Sequence, residues 1–164
     1  MSQKLEAILD SHSQNKVYEI IQPLQPYDLA EIMKRLELKK QIQLITHLAF
    51  GQAAQVLEYL EPEIQYKILH HLPPSFAAPL LRKIPSDAIV DLMLAIHPLQ
   101  AEQLLHFLPD DYREKIHVLM THPEGTAGSL MTVDYISARA YWSSEEALKH
   151  IRKVGHQAEL ISYI

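Results

Sequence analysis

Cysteine is absent from this chain of 164 residues, which excludes a disulfide framework and any thiolate metal site. Only four residues are glycine, and no glycine-rich phosphate loop, nucleophile elbow or zinc-helix signature occurs. "GTAGS" is too short, and wrongly flanked, for a dinucleotide loop. Basic residues are neither in excess nor clustered, and the net charge of -5 argues against nucleic acid as the partner. No apolar run approaches the roughly 18 residues that suggest a membrane span. The opening "MSQKLEAILDSHSQ" lacks the apolar stretch of a secretory signal. The expectation is a soluble chain suited to the cytosol. What is present is apolar residue content: 48% hydrophobic suffices to bury a core, and the length suits one domain, or one domain and a fragment of another.

That content is periodic. Cut into twelves from Ser13, the chain reads "SQNKVYEIIQPL", "QPYDLAEIMKRL", "ELKKQIQLITHL" and so on, without a gap, to "PDDYREKIHVLM". The twelfth position is always apolar, from Leu24, Leu36 and Leu48 to Leu108 and Met120. So is the eighth, from Ile20 to Ile116. The ninth is aliphatic or Met in every unit but the last, where His117 stands. Positions eight, nine and twelve share one helical face, and the fifth, often small or aliphatic, widens it. Proline recurs at the first or second position, as at Pro26, Pro62, Pro73, Pro74, Pro85, Pro98 and Pro109, where the missing amide costs nothing. Each unit predicts a helix of about nine residues and a tight link. Such helices are marginal alone, so the expected fold class is all-α, a superhelical solenoid with a 12-residue repeat. An irregular helical bundle is the plainer alternative.

The beat stops after Met120. "THPEGTAGSLMT" reads as a junction at 121–132. A strand is expected at 133–138, then a helix capped by Ser143 and Glu146 that runs to about Val154, then a second strand in "AELISYI". The division is thus 1–120, 121–132 and 133–164, the last a partial α/β unit cut inside its own domain.

No set of side chains suggests acid–base or covalent catalysis, so an enzyme is not expected. His47, His70, His71 and His106 fall late in their units, where a cation suits the helix dipole; this disfavours a transition-metal site. Trp142 is expected to pack the tail. The acids divide similarly. Asp28, Glu31, Asp110 and Asp111 sit in early turns or on the surface. Asp87 and Asp91, one turn apart in "PSDAIVDLMLAI", form a pair of the kind that hard divalent cations accept, since Mg2+ takes one or two carboxylates and keeps several waters. Asp87 is placed to cap its helix. Asp91 is not, and capping cannot account for it.

"HPEGTAGSLMT" resembles the junction of MgtE-type magnesium transporters, matching at Thr126, Ala127, Gly128, Leu130, Met131 and Thr132; Gly125 departs from an acid common there. The repeats are similar to that family's N domain, and "EEALKHIRK…AELISYI" to the start of its first CBS domain. The resemblance implies a magnesium-sensing region on the cytoplasmic side of the cell membrane. Its partners would be the CBS and transmembrane domains of a homodimeric channel, with Mg2+ bridging acids to hold the pore closed. By this resemblance the metal positions fall on Asp87 and Asp91, and a third falls on Gln55, which is not an acid. A metal-free scaffold like the flagellar motor-switch proteins is the rival, but such proteins are not expected to carry this junction.

Overall fold

The computed structural model describes residues 14–123, 125–131 and 136–155. All regular structure among them is helical. The helices are α1 (Gln14–Ile21), α2 (Pro26–Met33), α3 (Leu38–His47), α4 (Phe50–Glu58) and α5 (Pro62–His71), then α6 (Pro74–Leu81), α7 (Ser86–Ala95), α8 (Pro98–Leu105) and α9 (Asp110–Met120). A 3-10 turn (Ala127–Leu130) and α10 (Ser144–Val154) follow. From α1 to α9 every helix starts twelve residues after the last, at the second position of its unit.

The link explains the register. The residue before each of α2 to α9 is extended, with φ between -72° and -54° and ψ between 140° and 153°. Proline is locked near that φ, so Pro73, Pro85 and Pro109 stand there without strain, while Pro26, Pro62, Pro74 and Pro98 open their helices. At the other end the amide of position twelve usually folds back to the carbonyl of position nine, as from Leu36 to Met33 at 2.9 Å, Leu60 to Leu57 at 2.9 Å and Leu108 to Leu105 at 3.0 Å, while Leu72 and Ile96 reach back to Ile68 and Leu92 at position eight. This tight turn satisfies a helix-terminal carbonyl without a left-handed residue, so none of these links needs glycine.

The stripe read from the sequence is the core. Leu44, Val56, Ile68, Leu80, Leu92, Leu104 and Ile116 at position eight are buried, as are Ile21, Met33, Ile45, Leu57, Leu69, Leu81, Met93 and Leu105 at position nine. At position twelve Leu36, Leu60, Leu72, Ile84 and Leu108 are buried; His117 is exposed. The main packing pairs skip one helix at first: α1 on α3, α2 on α4, α3 on α5, α4 on α6. Beyond α6 the order changes, with α5 on α8 and α7 against both α8 and α9.

Polar residues at position five tie units together. Gln41 is buried and donates Nε2–H to the Met33 carbonyl at 2.9 Å, and Gln65 does the same to Leu60 at 2.8 Å. Gln65 satisfies the Leu60 carbonyl at the end of its link, and Gln41 is a second donor to the Met33 carbonyl beside the Leu36 amide.

α10 is the helix expected after Ser143. Glu146 Oε2 accepts the Ser143 amide at 2.8 Å, while Ser143 Oγ accepts the Glu146 amide at 3.3 Å. Glu145 and Glu146 open the helix, and Arg152 and Lys153 close it, which suits its dipole. Trp142 packs against His150, ring centroids 4.9 Å apart. No strand occurs among the described residues. Of the strand expected at 133–138, residues 136–138 are irregular, since a strand needs a neighbour for its amides and carbonyls; 133–135 and the strand expected in "AELISYI" lie outside the described residues.

Two outcomes are expected. Leu72→Ala should lower the unfolding free energy by about 2–5 kcal/mol, measured as a shifted urea midpoint at unchanged slope. The Ser143 backbone amide, and then its hydroxyl, hold the Glu146 carboxyl below its ordinary value. A depressed carboxylate contributes fully above its unfolded pKa and loses that contribution as pH falls through the folded one. The first turn of α10 should therefore fray on acidification below the ordinary carboxylate range, seen in amide chemical shifts, and a Glu146→Gln variant should lack the transition.

Candidate metal site

α7 buries Ser86, Ile89, Val90, Leu92 and Met93. Asp87 and Asp91 lie off that face, one turn apart. Asp91 is exposed and Asp87 half-buried. The capping role expected for Asp87 is not found: the residue preceding the helix is Pro85, no side chain caps this end, and Asp87 is the second helical residue. The reason is the link geometry, which puts proline at the cap and shifts the acid inside. Asp87 Oδ1 is instead shielded from solvent with no hydrogen-bond partner. A buried carboxylate oxygen in that state is costly unless something outside the protein supplies a partner.

The remaining acids are occupied or scattered. Glu31 accepts from Lys34 Nζ at 2.7 Å, and Glu61 lies 4.0 Å from the same ammonium. The hydrogen bond to Glu31 comes first among the causes that raise the Lys34 pKa. Asp110 pairs with Arg113. Asp28, Asp111 and Gln55 are exposed. The histidines serve their helices: Nδ1 of His47 lies 2.7 Å from the Gln43 carbonyl and that of His71 2.8 Å from Lys67. A carbonyl can only accept, so both nitrogens carry the proton. Tyr66 stacks on His70 at 5.3 Å. Among the described residues no group of three or more His, Asp or Glu could hold a metal ion.

The donors on α7 therefore suit part of a coordination shell. Two carboxylates match a hard cation that keeps much of its water; with Oδ1 covered, Asp87 would reach such an ion through its other oxygen, and the rest of the shell would come from water or an opposing surface. One device was not foreseen. His97 caps α8 by accepting the Leu99 amide on Nδ1 at 3.3 Å, and Gln100 Oε1 accepts the His97 amide at 2.9 Å. The three-residue spacing to Gln100 was the available signal, hidden because histidine replaces the usual hydroxyl.

A model of the MgtE intracellular N domain matches residues 24–125. This chain belongs to the MgtE intracellular N domain family. No curated protein sequence matches it significantly. Among solved structures, it resembles the cytosolic domain of the Mg2+ channel MgtE in complex with ATP, with a TM-score of 0.82 and 27% identity. The likeness covers 98% of this chain and 66% of that one. The soluble part of a magnesium transporter has the same fold, with a TM-score of 0.77 at 24% identity, over 98% of this chain and 63% of that one. The chain thus spans a little under two thirds of the length of these relatives. Among the described residues, no helix is long and apolar enough to cross a membrane.

Because Asp87 is not a cap, its removal should cost little. The favourable first-turn charge is worth about 0.3–1 kcal/mol and is offset by the orphaned oxygen. Asp87→Ala should change stability by less than about 1 kcal/mol, and Asp91→Ala by less than about 0.5 kcal/mol. Urea unfolding without divalent cations is the check.

Proposed function

We propose that this chain is the cytosolic magnesium-sensing region of a magnesium channel or transporter. In this reading residues 1–120 are the N domain, wound as a superhelical solenoid; 121–132 are the junction; and 133–164 begin the first CBS domain. The likeness to an MgtE cytosolic domain runs over 98% of the chain, well past residue 125 where the family match stops, and this supports assigning the tail to the next domain. The role is regulatory, with no catalytic step.

The single observation that carries the site is the pair itself: half-buried Asp87, which caps nothing, one turn from exposed Asp91. Asp87 and Asp91 present oxygens to a Mg2+ shared with acids of the CBS surface. Without the ion, the two acidic surfaces repel and the domain leaves. Docking then follows ion concentration, because the ion binds the docked state better than the open one. Leu94 shares the helical face of Asp87 and Asp91 by its spacing and is 60% exposed; Leu99, just beyond, is 70% exposed. These two leucines supply apolar area to the docking face. No observation favours the metal-free scaffold.

Two measurements test this. The chain alone should bind Mg2+ in the millimolar range or more weakly, having few ligands, as followed by amide shifts of α7. In the full-length homodimer, replacing both Asp87 and Asp91 by Ala should leave the pore open at Mg2+ levels that close the parent. A folded double variant that still closes normally would make the pair ordinary surface charge.

A further inference from the structure

The junction looks from its composition like a loose tether, holding Pro123, Gly125 and Gly128 within a few residues. Its geometry is otherwise. Thr126 closes a turn on the Pro123 carbonyl twice, through its amide at 3.2 Å and its hydroxyl at 2.8 Å. Gly125 takes φ +78° in that turn, a left-handed conformation that an acidic residue would adopt only with strain. The 3-10 turn of Ala127–Leu130 packs back on α9.

There the ring of His122 meets Gly128. A β-carbon at Gly128 would lie 2.6 Å from both Cγ and Nδ1 of His122, closer than real β-carbons come, and 3.1 Å from Cδ2. The bare α-carbon is therefore what lets the ring sit there. His122 is itself held at the end of α9 by its amide, which donates to the Leu119 carbonyl at 3.1 Å. Its ring is half-buried.

We propose that His122 and Gly128 form a ring-on-glycine latch that fastens the junction as far as Leu130 to the end of α9, so that any swing of the helical domain turns beyond Leu130. The chain beyond Leu130 then leaves the helical domain in a set direction, and the junction moves with α9 as one body. The latch rests on local packing alone and holds whether or not magnesium is the ligand of α7.

The test is a double-mutant cycle on the whole chain, read by amide hydrogen exchange. The Met131 amide, which donates to Gly128 at 3.4 Å, and the Thr126 amide report the latch. Gly128→Ala should speed their exchange roughly tenfold with His122 present and leave it unchanged or slower in a His122→Ala background, where the clash is gone. In the parent, the Gly128 α-protons should be shifted by the ring current of His122. Equal acceleration in both backgrounds, no acceleration in the parent, or α-protons without the ring shift would each overturn the latch. So would a large loss of helical circular dichroism in Gly128→Ala, because the contact is local.

Discussion

A helix of eight to eleven residues makes too few internal hydrogen bonds to persist alone in water, and every α-helix among the described residues is of that size. Burial of the stripe at positions eight, nine and twelve is therefore the interaction on which the domain depends. It acts between units rather than within them: Leu44 and Ile45 on α3 gain nothing until α1 and α5 cover them. The link at each unit end is built for the same purpose. It takes two to four residues, closes its own carbonyls, and returns the next helix in register.

That economy shapes where chemistry can sit. Position five faces the neighbouring unit, so a polar residue there must bond across it, as Gln41 and Gln65 do. Position seven lies outside the stripe, and Asp91 occupies it without cost to the fold. Asp87 is at the edge, where one oxygen is covered but nothing in the domain completes it. An acid so placed is tolerated by the helix dipole, and only its other oxygen could meet a cation from outside. Stability and a candidate binding role are thus carried by different residues on one helix, which lets the aspartates be replaced while the leucines hold the domain.

Much of this was legible in the chain. The positions of the helices, the buried face and the capping box at Ser143 all follow from spacing, because helical geometry repeats at fixed intervals and apolar side chains must leave water. The candidate pair Asp87 and Asp91 was legible too, as two acids one turn apart. The capping role expected for Asp87 does not hold, since an acid near a helix start is a common cap and only the backbone of Pro85 reveals that the helix begins two residues earlier than such a cap requires. His97 was missed because imidazole is an uncommon acceptor in a cap.

The sequence by itself determined a run of short helices with one apolar face each, since periodicity and proline placement are local properties that every unit states for itself. Only the tertiary structure decided which helix covers which. The skip-one order from α1 to α6 and its replacement by α5 on α8 depend on volumes and angles summed across several units, and no single unit contains them. The same holds for the shielding of Asp87 Oδ1 and for the His122 ring on Gly128. Both are close approaches between groups whose positions are set by packing, and a close approach is a property of the folded chain rather than of any residue in it.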